Sequence, residues 1–361
     1  MLILYITYVD FGQAASGSGV RPQKMYEAFL QEGHEVMLLS GGQGNLRTRE
    51  KRIAAVKETE RWLNDHRPDI CYIESPVYPI LWHADRQLIR RIHRMGIPIG
   101  YFYRDLYRKF PDLFPRRNDP VGAAKELWLD RMQSATDRVL EKADIVYFPS
   151  EMCFPYFSFR DMRTLPPGGE DRLEETMPFY KHCLYVGGLS DQYDGECLLR
   201  AFALLNADGV EYPLTLICRN REWQTIPAEL RRGPWLEVHH VSGKELRPLL
   251  SQAGAGILIG REDHPYSRFA VSVKTYEYMG YGLPMVYIRN EPHDRIIADA
   301  GLGIGTEGTP EALAEGVRKL FASPETYERY RHAVSGALYR DGLWIHRARQ
   351  VVRELSEKRK S

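Results

Sequence analysis

Lys274 and Glu277 stand three residues apart in the stretch SVKTYEYMGYGLPMVYI, residues 272–288. Gly282 and Pro284 end the helix this pattern predicts, and residues 285–288 read as a buried strand. Side chains at i and i+3 share one helical face, while Tyr276 and Met279 turn toward a core. The N-terminus of a helix exposes unpaired N–H groups and partial positive charge, which suits a phosphate. A carboxylate one turn further on suits the hydroxyls of a ribose. A base and an acid in this order therefore describe a site for a nucleoside diphosphate. The plainer alternative is a solvated i,i+3 ion pair.

A second candidate set lies near the start. Gly12, Gly17 and Gly19 punctuate a loop at 10–22, between an apolar run at 2–7 and a helix at 23–31 closed by Gly33. Residues 34–40, HEVMLLS, form the next strand. Glycines let the backbone approach a ligand closely, and Arg21 at the mouth of the helix could meet an anion. A dinucleotide fingerprint fits poorly: Val20, Arg21 and Pro22 follow Gly19 without the third glycine, and the second strand ends without an acidic residue. An ordinary surface loop remains the alternative.

These groups need elements to hold them, and 361 residues suffice for two domains with separate cores. Residues 69–74, 97–103 and 145–149 read as strands, with helices at 84–95 and 123–142, giving a parallel α/β domain over 1–165. Leu165-Pro166-Pro167-Gly168-Gly169 reads as a linker. Alternation restarts over 170–340, with strands at 183–186, 214–218, 235–240, 255–259 and 285–288. Helices are expected at 195–205, 244–252, 273–280, 310–321 and 324–336. Residues 341–361 then supply a last helix, 344–358, and a basic tail.

Net charge is +1, so no global field favours nucleic acid. Residues 86–117 carry nine Lys/Arg against two Asp, a local net of +7. The five cysteines form no CxxC pair and read as reduced core residues, no metal-ligand spacing appears, and no apolar run is long enough to span a membrane.

Two sheet domains, a glycine loop in the first and a phosphate-and-ribose helix in the second, resemble the retaining GT-B glycosyltransferases of family 4. GHEVMLLS (33–40), YVGGL (185–189), KTYEYMGYGLP (274–284) and GLGIGTEGTPEALAEGV (301–317) carry the resemblance, in the family's order. It implies an α/β fold of two Rossmann-like domains facing a cleft, with a C-terminal helix crossing back to the first domain. It implies a sugar transferase using a nucleotide-diphosphate sugar, without metal or other cofactor. Glu277 falls on the ribose-binding glutamate, and the amides of Val271, Ser272 and Val273 on the donor-phosphate cradle. The first glutamate of the family motif is replaced by Phe269, and the usual arginine and lysine by Gly188 and the Tyr193-Asp194 pair. Arg219, Arg221, Arg261 and Lys274 are the available cations, and Arg261 and Lys274 flank the phosphate segment. Where the family often has His-Asp, this chain has Arg104-Asp105, which would bind an acidic acceptor or phosphate, or else fix the strand end.

The resemblance also implies front-face transfer, with the leaving phosphate taking the acceptor proton and no obligatory protein base. The acceptor side points to a glycan or a lipid-linked glycan in surface-glycan assembly, and to a cytoplasmic location. Basic and aromatic residues interleave over 104–117, which suits peripheral contact with the inner face of a membrane or a loop packing its rings inward. The rival reading is a non-catalytic GT-B module that binds nucleotide or glycan as a partner subunit, motivated by the four replaced family positions. A nicotinamide oxidoreductase ranks behind both.

Overall fold

A computed structural model describes residues 1–11, 17–43, 46–77, 79–104, 119–175, 179–190 and 192–360. Asp105, the 105–117 part of the basic-aromatic segment and Gly12 lie outside the described residues. The chain divides into two units, one of Met1–Pro166 with Trp344–Ser361 and the other of Pro167–Leu343.

In the first unit, short apolar runs become the interior strands, buried on both faces as a parallel sheet covered by helices requires, while the edge strands, Glu35–Leu39 and Met162–Thr164, are half-buried. The strands are β1 (Leu2–Ile6), β2 (Glu35–Leu39), β3 (Ile70–Glu74), β4 (Ile99–Phe102), β5 (Ile145–Phe148) and β6 (Met162–Thr164). The spatial order is β2-β1-β3-β4-β5-β6, all parallel. Chain order reverses between β1 and β3, so the carboxyl ends of those two strands form the sheet's switch point.

The C-terminal helix, Trp344–Lys360, belongs to this unit. Trp344, Ala348, Val351 and Leu355 recur at helical spacing and pack with Ile3, Tyr5, Phe29, Ile70 and Tyr147. Gly100 in β4 makes room for it, since an added Cβ would meet Leu355 Cδ1 at 3.0 Å.

A 20-residue helix, Leu46–Asp65, is absent from the sequence reading. Its buried positions are Arg52, Val56, Thr59 and Leu63, so half of its inward stripe is polar and the apolar period is hidden. Arg52 is inside because a carboxylate and backbone carbonyls meet its guanidinium. Nε bonds Asp85 Oδ1 at 2.9 Å, and Nη1 bonds the carbonyls of Thr7 at 2.8 Å and Ser40 at 2.9 Å, just past the ends of β1 and β2. The Tyr8 ring covers it at 4.3 Å.

The N-terminal helix departs from expectation. It runs Gly17–Gln31 through Pro22, so Gly17 and Gly19 lie in its first turn and not in a loop. Tertiary anchors override the bias against helical backbone ahead of a proline. Arg21 is held by Glu74 and by the Pro166 carbonyl, and Tyr5 Oη donates to the Pro22 carbonyl at 2.8 Å.

The second unit repeats the plan with β7 (Cys183–Val186), β8 (Leu214–Ile217), β9 (Leu236–His239), β10 (Ala255–Leu258), β11 (Met285–Ile288) and β12 (Gly303–Thr306). All neighbours are parallel, in the order β12-β11-β10-β7-β8-β9. Counted from β7 this is the 3-2-1-4-5-6 order of a Rossmann sheet, with its switch point between β7 and β10. Tyr278 marks that point physically. Its hydroxyl accepts from Val186 N at 3.1 Å and donates to Ile257 O at 3.3 Å, wedging the two strands apart at their carboxyl ends. Gly256 leaves the space that the Tyr278 ring occupies. All five cysteines are free and buried. Among the described residues no helix is long and apolar enough to cross a membrane.

Candidate functional site

The helix expected at 273–280 forms as Val273–Gly280 and starts beside the β7/β10 switch point. Ser272 caps it, its Oγ accepting from Lys274 N at 3.2 Å. Tyr276, Tyr278 and Met279 are buried in the core of the unit, which leaves Lys274 and Glu277 on the half-buried face. Among the described residues, the N–H groups of Val271, Ser272 and Val273 have no acceptor. Three orphan donors at a helix N-terminus form an anion cradle.

Lys274 is brought to the end of β7. Its Nζ lies 4.9 Å from the centre of the Tyr185 ring and 5.3 Å from that of Tyr193, and it forms no hydrogen bond to a described residue. The rings are fixed in turn: Tyr185 Oη donates to Gly188 O at 2.6 Å, and Tyr193 packs against Gly188. Gly188 and Tyr193 stand where the resemblance expects two cations. Here they help build an aromatic seat for a third. Asp194, next to Tyr193, is the one non-glycine residue with positive φ (56°) among the described residues, and it caps the helix Gly195–Leu205 through Cys197 N.

Burial pulls the Lys274 ammonium down to about 8, against the opposing charge of Glu277. The Glu277 carboxyl is pushed upward, first by burial and further by Glu170, with Lys274 opposing. Its oxygens have no hydrogen-bond partner among the described residues, which leaves them able to accept from a diol. Gly187 fits this seat because a Cβ there would collide with Lys274 Nζ and come within 2.6 Å of Tyr185 Oη. Gly187→Ala should therefore displace the lysine without unfolding the unit. Urea melts at pH 7 and pH 10 should then show a smaller rise of stability with pH than in the parent, because the lysine has left its buried seat.

The remaining expected residues are placed differently. Arg261 forms an exposed bidentate pair with Asp263, at 3.0 and 2.9 Å. Phe269 is buried. In the first unit, Arg21 was expected to meet a ligand anion, and the anion it meets in this structure is Glu74. Nε bonds Oε1 at 3.1 Å, the guanidinium stacks 3.5 Å from the centre of the Phe102 ring, and Arg21 is only 3 % exposed. Tyr72 Oη donates to the same carboxylate oxygen at 2.8 Å. Arg104 lies two residues beyond β4, its backbone N–H bonded to Ser75 Oγ at 3.0 Å.

Sequence reasoning missed Tyr185 and Tyr193 as the seat of the lysine, and it missed His293. The imidazole of His293 is buried just past the end of β11 and feels the charge of Lys274. The signal was the short NEPHD run directly after a strand, a place where parallel sheets carry functional side chains.

Two units, each a parallel Rossmann-like sheet, with the last helix returned to the first unit, define the α/β fold of the GT-B glycosyltransferases. No family model and no curated protein matches the sequence. Among solved structures the chain is similar to sucrose-phosphate synthase from Thermosynechococcus elongatus, at 13% identity and TM-score 0.65, over 99% of this chain and 98% of that one. A glycosyltransferase from Rickettsia africae ESF-5 has 11% identity and TM-score 0.66, over 100% and 99%. HepE from Anabaena, solved in complex with UDP, has 12% identity and TM-score 0.66, over 99% and 100%. At such identities the likeness is one of fold.

Proposed function

We propose that this chain is a retaining glycosyltransferase of the family 4 type. It would move a sugar from a nucleoside diphosphate sugar to an acceptor hydroxyl during glycan or glycolipid assembly. The observation that carries the reading is the β7/β10 edge, where three unanswered backbone N–H groups, an unpaired lysine and an unpaired carboxylate occupy one short helix. The amides and Lys274 would receive the diphosphate, and Glu277 the ribose hydroxyls. UDP, present in the HepE structure, is the first nucleotide to try.

In the reaction the bond from the anomeric carbon to the phosphate oxygen breaks, while the bond to the acceptor oxygen forms on the same face. The acceptor proton passes to the departing phosphate. Charge grows on that phosphate, so Lys274 stabilises the transition state more than the bound donor. No step requires a metal ion. The 104–117 segment is the proposed contact for a lipid-linked acceptor.

The test is a thermal-shift screen of nucleoside diphosphates followed by a transfer assay with a broad acceptor panel, since a ligand bound only by the folded state raises the melting temperature. Glu277→Ala should weaken nucleotide binding by about 1–3 kcal/mol through loss of a charge-assisted hydrogen bond. Unchanged affinity would remove the ribose assignment. One observation favours a second reading, a non-catalytic nucleotide-binding module: Phe269, at the position of the family's sugar-binding glutamate, is apolar and buried. Nucleotide binding with neither transfer nor hydrolysis of any donor would select it.

A further inference from the structure

His293 is a buried hydrogen-bond donor with nothing to donate to. Asn290 fixes which nitrogen carries the proton. Asn290 Oδ1 accepts from the His293 backbone N–H at 2.9 Å, so the other side of that amide, Nδ2, faces the ring and lies 2.8 Å from Nδ1. An amide nitrogen can only donate, so Nδ1 must accept, and the neutral ring keeps its hydrogen on Nε2. The ring is neutral because burial, then the charge of Lys274, push it down to about 4 against the pull of Asp294. Nε2 is buried and has no partner among the described residues. Tyr287 packs edge-on against the ring at 6.0 Å and holds its orientation.

An unanswered donor inside a protein costs stability unless an acceptor meets it. Here it follows β11, the neighbour of β10, while the Val273–Gly280 helix that carries the amide cradle follows β10 itself. Its electrostatic neighbour, Lys274, likewise has no acceptor among the described residues. Two side chains from different elements, each with free N–H groups and neither with a carboxylate bonded to it, describe a receptor for an oxyanion.

We infer that His293, through Nε2–H, binds a phosphoryl oxygen of the ligand together with Lys274, and so supplies part of the anion recognition that the replaced family cations would have given. This rests on the glycosyltransferase reading for the identity of the ligand, but not for its chemistry: a pyrophosphate group satisfies the same donors whether or not a nucleoside is attached. A neutral imidazole also adds a directed hydrogen bond without adding a second buried positive charge beside Lys274.

The experiment is calorimetric titration of the full chain and of His293→Phe and His293→Gln with inorganic pyrophosphate, and with UDP, GDP, ADP and dTDP, with melting curves on each variant. Phenylalanine keeps the ring packing and removes the donor, while glutamine can restore an N–H near the Nε2 position. His293→Phe should bind pyrophosphate and the preferred nucleotide about 10- to 100-fold more weakly, the loss expected for a hydrogen bond to a charged group. His293→Gln should stay within about fivefold of the parent. Equal binding by His293→Phe and the parent overturns the inference, and so does an equal loss in both variants, which would assign His293 a packing role. If the parent binds pyrophosphate in a His293-dependent way but none of the nucleotides, this inference stands and the nucleotide-sugar reading falls. If the parent binds neither, both fall.

Discussion

Lys274→Met should lower sugar transfer by roughly a hundredfold, the cost of losing one preorganised donor at a developing anion, and at the same time make the folded protein more stable at pH 7. In the proposed reaction the loss should fall on kcat more than on donor affinity, because the negative charge facing Lys274 would grow as the bond to the sugar breaks. The gain in stability follows from burial. Lys274 titrates near 8 in the folded chain, below its ordinary 10.5, so at neutral pH the folded state carries an ammonium in surroundings that disfavour it.

The sign is that of a group whose folded pKa is depressed: the unfolded chain binds more protons between pH 8 and 10.5, so stability rises with pH through that window. Replacing the lysine with methionine should remove this rise and add about 1–3 kcal/mol at pH 7. Urea melts at pH 7 and pH 10 read the effect directly. A variant that is less stable at pH 7, or one that transfers sugar at the parental rate, would show that the seat formed by Tyr185 and Tyr193 serves some other purpose. Arg261→Ala is the internal comparison. Its guanidinium already pairs with Asp263 at the surface, so its loss should cost activity much less.

Asp85→Ala should destabilise the first unit by about 3–5 kcal/mol, the cost of leaving a buried charge without its partner. Both side chains of the Arg52–Asp85 pair are essentially inaccessible to water. Once the carboxylate is gone, Arg52 keeps its bonds to the Thr7 and Ser40 carbonyls but retains a full positive charge with no anion. Chemical denaturation with two-state fitting measures the change. A loss below about 1 kcal/mol would mean that water or a neighbouring group reaches the guanidinium.

The interior strands of both sheets were legible because parallel strands covered on both faces read as short apolar runs, as CLYV and MVYI do, whereas the edge strands β6, MRT, and β12, GIGT, carry no such run and were missed. The Val273–Gly280 helix was legible for a different reason: Gly282 and Pro284 fix its end, and its inward residues are large and apolar. Leu46–Asp65 was hidden because Arg52 and Thr59 occupy inward positions that a hydrophobic pattern cannot register. Arg21 misled in the opposite direction. A basic residue after glycines reads as an anion site, whereas the Glu74 that neutralises it lies 53 residues away and becomes visible only when β3 is placed beside β1. The Lys274 seat was half legible, since lysine and glutamate announce themselves by spacing. Tyr185, Gly187, Tyr193 and His293 join them only through the sheet.

The return of Trp344–Lys360 to the first unit sets an order of events on the ribosome. The second unit, Pro167–Leu343, is an uninterrupted insertion and has every residue it needs once Leu343 has emerged. The first unit begins earlier but finishes last, because Trp344, Ala348, Val351 and Leu355 supply one side of a core whose other side starts at Ile3. Synthesis from the N-terminus therefore holds the β1–β6 sheet with an uncovered apolar face while the whole second unit is made and folds. The early half of this protein is the part that waits, and the exposed face it presents during that wait is where a chaperone would bind.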